Sequence, residues 1–341
     1  MTRNRRVFMA VPRGRLLAFL LGAALPLQAQ DPGAMPAMGA SEGIRAMRPP
    51  AESLRTVPQI KAYLAEVVAP AIPDLSSLDL SGLDLTAVDF RKANLTGARL
   101  EGTNLSGAQL FSCDFTDAIA TAAVFAGANM DVTTLRRADL RRANLRGASL
   151  FASILEAADL READLRDTRI IGYLRKARLN GATLANANIG ADPGNQSMGV
   201  MRAQFVSADL TGADFTGANL YKADFSFATL ADAKLIRADL RNADLVQTDF
   251  TGADLTGADL GAADLAGAIF LKVTGLDSVK GLDQARNRDQ ARFDPRTPGH
   301  PSPLLLTSES LHEPPPAPGV PRPAPPHRLP PRRGSARPHR W

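Results

Sequence analysis

An apolar residue returns at every fifth position through most of this chain, with alanine two places ahead of it and usually Asp or Asn between. Ala93-Asn94-Leu95, Ala138-Asp139-Leu140, Ala213-Asp214-Phe215 and Ala258-Asp259-Leu260 all follow the rule. The apolar centres run by fives from Leu75 to Ile170. After a one-residue slip they continue at Leu174, Leu179, Leu184 and Ile189, then resume from Phe205 to Phe270, making 38 units. Five is the period of neither a helix nor a strand. In extended backbone, positions two apart share a face, so the Ala and the apolar centre point inward while the Asp or Asn points out. The next inward Ala comes three positions later, leaving two consecutive outward residues that only a corner accommodates. Gly stands second at twelve of these corners, Thr96-Gly97 and Thr256-Gly257 among them, where a type II turn needs positive φ. A helix would scatter a five-residue stripe around its surface. Rungs that bend in one sense instead build an all-β solenoid with hydrogen-bonded coils. Phe205 and Phe225, like Phe250 and Phe270, stand twenty apart, as four sides per coil would require.

These units resemble the A-(D/N)-L-x-x pattern of the pentapeptide-repeat family over residues 74 to about 270. The resemblance implies a right-handed quadrilateral β-helix with short helical caps and four units per coil. At roughly 4.8 Å per stacked strand, nine to ten coils give a rod about 45 Å long. Its interior is filled by apolar centres and alanines. Cys113, Thr103, Thr133, Ser153, Thr168 and Thr248 replace Ala with other small residues. Leu78, Leu83 and Val88 are larger and lie in the first coil, which is expected to taper or meet a cap. Ala120, an undersized centre beside Ile119, marks the weakest rung. Such an interior has no room for a ligand, so function is expected on the faces, the ends or a loop.

The flanks divide by composition. Residues 1–29 read as an export signal peptide: five arginines and no acid, then an apolar stretch from Leu16 to Leu27 too short to span a bilayer comfortably. Arg5-Arg6-Val7-Phe8 also fits a twin-arginine signal. Residues 30–57 read as a flexible linker, and 58–73 as an N-terminal helical cap with Ile60, Leu64, Val67 and Val68 on one side. The repeat domain is expected over 74–270, interrupted by a loop at 190–204. Residues 271–294 read as a C-terminal cap, helical over 276–292. From residue 295 to 341, 15 residues are proline and seven are arginine, the composition of a disordered tail.

The formal charge of +5 conceals its distribution. Residues 31–294 hold 28 basic and 33 acidic groups. Within them, residues 74–134 carry 3 basic and 8 acidic groups, 135–180 carry 11 and 6, and 203–270 carry 4 and 10. A basic waist thus lies between acidic ends. Arg136, Arg137, Arg141, Arg142, Arg175 and Lys176, with Met198 and Met201 of the loop, form the candidate interaction surface. The competing reading is a solvated face whose arginines pair with Asp on neighbouring coils. The Asp row from Asp209 to Asp264 invites a calcium site, but residues five apart lie on successive sides, so few carboxylates converge on one shell.

All four histidines lie beyond residue 295, and the single cysteine occupies an inward slot, which removes His-based catalysis and ligation from the repeat domain. No phosphate loop or dinucleotide fingerprint is present. The expectation is a non-enzymatic exported scaffold, periplasmic or secreted, without cofactor, metal or small-molecule substrate, that binds an unknown protein partner. The waist lacks the interleaved aromatics of a nucleic-acid surface, membrane contact is left only to an uncleaved signal, and a homodimer through the C-terminal cap stays open. Some family members resemble acidic rods that mimic DNA and bind gyrase, protecting it from quinolones. That is the alternative reading, opposed by the export signal and the basic waist.

Overall fold

The computed structural model describes residues 54–90, 92–191 and 202–294, all within one compact unit of the chain. The backbone returns beside itself at nearly constant intervals. Parallel bridges join Asp74 to Asn94, Asn94 to Asp114 and Asp114 to Thr134, and continue to Arg286; three parallel columns start at Asp79, Asp84 and Asp89. These columns define four faces, numbered one to four in that order. The backbone bonds alternate in direction. Leu95 N–H donates to the Asp114 carbonyl of the next turn (2.7 Å), and Asp114 N–H donates back to the Ala93 carbonyl (3.1 Å). Most rungs are a single bridging residue rather than a strand, because a corner arrives every five residues.

The corner explains the motif. Ala98 N–H closes onto the Leu95 carbonyl at 3.0 Å, with Gly97 at φ +62°. The first corner N–H is taken by the side chain of the preceding Asp or Asn: Thr96 N–H donates to Asn94 Oδ1 at 3.1 Å, and Thr116 N–H to Asp114 Oδ1 at 2.9 Å. This Asx turn is why Asp or Asn stands between Ala and Leu. The left-handed second position is not reserved for glycine. Arg137, Glu162, Lys222 and even Val132 (φ +61°) adopt it, so the stacked neighbours impose a geometry that a β-branched residue alone avoids.

Inside, every apolar centre from Leu75 to Phe270 is at most 1% exposed. Phe205 and Phe225 stack with ring centroids 4.9 Å apart, as do Phe250 and Phe270, so the twenty-residue spacing does superpose them. The inward hydroxyls are satisfied locally: Thr103 donates to the Leu80 carbonyl, Thr248 to Phe225 and Ser153 to Met130, at 2.7–2.8 Å. Ala120 is buried, and its neighbour Ile119 points to solvent.

The N-terminal helix α1 spans Val57–Glu66. Thr56 caps it, its hydroxyl accepting from Gln59 N–H while the Gln59 side chain accepts from Thr56 N–H, a reciprocal capping box. Ile60 and Leu64 join the same apolar cluster as Leu78 and Val88 of the first turn. The helix is shorter than expected, however. Val67 lies outside it, and Val68 is 66% exposed rather than on the buried side.

Two departures occur at the corner from face four to face one. Strand β1 (Ser149–Ile154) pairs with β2 (Arg169–Tyr173), with a register shift between Phe151 and Ser153. One residue is missing there, so Asp159 pairs with Arg178, 19 positions on, and the corner straightens into real strand. In the next turn Asn188 pairs with Asn219, 31 positions on, so the extra residues of the expected 190–204 loop leave at that same corner. Residues 192–201 of that loop lie outside the described residues.

The C-terminal cap differs from its expectation. No α-helix forms over 276–292. Two 3-10 turns, Leu276–Ser278 and Arg288–Gln290, separate further rungs, and β3 (Ile269–Phe270) pairs in parallel with β4 (Arg292–Phe293). The stack therefore runs through Phe293, whose ring lies 4.8 Å from that of Phe270.

Candidate interaction surface

A filled interior confines any site to the skin. Among the described residues the notable hollows are shallow: one of about 210 Å³ where Lys61 and Leu64 of α1 meet Val88, and an open groove of about 600 Å³ along Arg202, Lys222, Asn242, Ala262 and Arg286. Arg202 ties three turns together there, reaching both Asp224 (3.1 Å) and Asp244.

The bridges place the basic waist on two adjacent corners. Arg136, Arg137, Arg175 and Lys176 lie on the corner between faces one and two, and Arg141 and Arg142 on the corner between two and three. Much of this charge is already matched. Arg137 grips Asp117 of the previous turn with two bonds of 2.7 and 2.6 Å, and Arg136 lies 3.5 Å from Glu156. Arg141 does not reach a neighbouring coil: it folds onto Asp139 of its own rung at 2.8 and 2.6 Å. Arg166 repeats this on Asp164 and Arg241 on Asp239. The Arg137 and Arg141 guanidiniums hold the Asp117 and Asp139 carboxyls below the ordinary range by donating to them. Arg142, Arg175 and Lys176 are exposed and make no ion pair among the described residues. Met198 and Met201 lie outside the described residues.

The structure adds a feature that reading by fives misses. Phe111, Val132, Phe151 and Ile171 fall on successive turns of the corner between faces four and one. Phe111 is 45% exposed and Val132 42%. Ile154 and Tyr173 continue the apolar surface onto face one, and Gln109, Asn129, Ser149 and Arg169 flank it on face four. The Arg169 guanidinium stacks 4.8 Å over the Phe151 ring. An alignment of the sequence by twenties stacks Phe111, Asp131, Phe151 and Ile171, with Val132 beside Asp131. The result is an edge on which exposed apolar side chains stand beside one carboxylate, Asp131, which accepts from Phe151 N–H, and one guanidinium, Arg169.

Cys113 is buried, and that burial pushes its thiol up to about 12. Among the described residues no three His, Cys, Asp or Glu side chains gather as a metal shell, and no helix is long and apolar enough to cross a membrane.

The family model for pentapeptide repeats matches in eight copies, over residues 74–107, 103–147, 133–167, 201–235 and 233–270. HetL, a pentapeptide-repeat protein from the cyanobacterium Nostoc sp. strain PCC 7120, is 30% identical over 70% of this chain and 94% of its own, with a TM-score of 0.25. This chain belongs to the pentapeptide-repeat family. QnrB1, a plasmid-mediated fluoroquinolone resistance protein, is 18% identical to this pentapeptide-repeat chain over 63% of it and 93% of QnrB1, with a TM-score of 0.42. Rfr23, from the cyanobacterium Cyanothece 51142, is 24% identical over 36% of this chain and 91% of its own, with a TM-score of 0.19. No curated protein sequence matches the chain.

Proposed function

We propose that this pentapeptide-repeat protein is a non-enzymatic, exported scaffold, a right-handed quadrilateral β-helix that docks a partner protein along the corner between faces four and one. The observation that carries the reading is the grouping of three exposed apolar side chains, Phe111 and Val132 on that corner and Tyr173 beside it on face one. Exposed aromatic and aliphatic side chains in one patch mark interaction sites. The unmatched cations Arg175 and Lys176 lie one corner away, so the fitting partner carries acidic groups beside its apolar contact. HetL is involved in heterocyst differentiation regulation, a role compatible with binding.

Two experiments test this. Capture from envelope extract is compared between the intact protein, a Phe111→Ser/Tyr173→Ser variant and Phe227→Ser, whose exposed ring lies on a different corner. A partner lost only with the first variant supports the reading, and equal capture by all three refutes it. Fusion of residues 1–40 to a reporter active only outside the cytoplasm tests export. Retention inside would favour the acidic gyrase-binding alternative.

A further inference from the structure

Beyond Ile171 the corner between faces four and one changes from apolar to cationic. Two turns on, Lys222 occupies it, with Asn242 and Ala262 in the turns that follow, and Arg202 and Arg286 complete the lining of the open groove of about 600 Å³. The lining side chains are two guanidiniums, an ammonium, an amide and a methyl, with no carboxylate among them.

The two guanidiniums arrive from opposite directions along the axis. Arg202 comes from the turn before Asp224 and pairs with Asp224 and Asp244, whereas Arg286 comes from two turns after Asp244 and lies 3.6 Å from it. One Asp244 oxygen, Oδ2, takes Arg202, and the other, Oδ1, faces Arg286. Arg286 Nε also donates to the Ala262 carbonyl at 3.2 Å. Two like charges that would separate in water are thus fixed beside one carboxylate, with their planar forks already ordered for a further oxyanion. No acceptor meets Arg202 Nε or Arg286 Nη1 among the described residues. Lys222 adds a cation that makes no ion pair among the described residues, its ammonium 5.3 Å from the Tyr221 ring. The carboxylates of face four beside it, Asp239 and Asp259, lie 2.6 and 3.9 Å from Arg241 instead.

The surrounding charge limits the ligand. Residues 203–270 carry 4 basic and 10 acidic groups, so the stack around the groove repels a polyanion, while a single oxyanion meets three cations at close range. The position argues for a protein carboxylate. Lys222 stands two turns beyond Ile171 on the corner assigned to docking, roughly 10 Å away, which about three residues of extended chain span.

We infer that this groove receives one Asp or Glu side chain of the partner docked on the apolar edge, its carboxylate lying between Lys222 and the guanidiniums of Arg202 and Arg286. The inference rests on the docking reading for its partner, whereas its test needs only the groove.

The test is a titration of the isotope-labelled full chain, followed by NMR, with an end-blocked Ala-Glu-Ala tripeptide and its Ala-Gln-Ala counterpart. The glutamate peptide is expected to shift the Lys222 and Asn242 amides saturably, and the glutamine peptide to leave them in place. Lys222→Gln should weaken the glutamate peptide roughly fivefold, and Arg142→Gln, on the waist, should bind it as the parent does. The tripeptide has no large apolar side chain to place on the edge, so this outcome and that of the capture experiment are separate. Absence of a saturable shift, equal shifts with both peptides, or unchanged affinity in Lys222→Gln overturns the inference. Loss of binding in Arg142→Gln also overturns it, because the waist is then the site. Saturation by inorganic phosphate with none by the glutamate peptide does so too, the groove then holding a free anion.

Discussion

Leu220 shows what each inward side chain does. It is fully buried at a centre on face four, in a column where the turns above and below hold its neighbours in place, so little can move into a space it vacates. Leu220→Ala should cost about 2–5 kcal/mol in urea unfolding. The carboxylates work differently. Asp139 is held low by the Arg141 guanidinium and Asp254 by the Thr256 hydroxyl and N–H. A carboxyl whose folded pKa lies below its unfolded value contributes stability above the unfolded value and loses it as pH falls through the folded one. The melting temperature should therefore hold near neutrality and drop below about pH 4. Asp139→Asn, which keeps the oxygen that caps the corner, should flatten that drop in a pH series of thermal melts.

Among the described elements, the β1–β2 pair is where a corner is missing. Gly172 makes it tolerable, since a Cβ there would sit 2.3 Å from the Ser153 carbonyl oxygen. Gly172→Ala must push the two turns apart and is expected to destabilise by about 1–3 kcal/mol in urea titration. Gly147→Ala, with nothing within 4 Å of its Cβ but a backbone strain of its own at φ +67°, isolates that strain from the clash. The rungs were readable in the sequence because each carries its own Ala, Asx and apolar centre. The final turn was not. Its centres are Gly275, Gly281 and Asn287, and the apolar residue has moved one place on to Leu276 and Leu282, so a search for leucine by fives stops at Phe270. The basic residues were legible as a cluster, but the pairing of Arg141 with Asp139 within one rung was not, since it depends on how the Asx corner aims the side chain. The apolar edge escaped for a third reason. Phe111, Val132 and Phe151 are separated in sequence by whole turns and meet only once the backbone has closed a circuit.

At the scale of the described stack, backbone cohesion is between nearest turns, and Arg202 and Arg286 reach one turn further to Asp244. Cys113 reports on it: its thiol, at 1% exposure and pushed up to about 12, reacts only through opening of the turns around it. Alkylation in native buffer should be slow, and should accelerate with urea in step with loss of circular dichroism; rapid labelling without urea would contradict the sealed interior. The direction of the bonds has a mechanical consequence. Every contact between turns points along the axis while the covalent chain runs across it. A pull on the two termini therefore loads one ring of bonds at a time, as in opening a zipper. The molecule should lengthen under low tension in successive steps of one circuit, each releasing about 70 Å of chain, where a sheared sheet would resist and then snap.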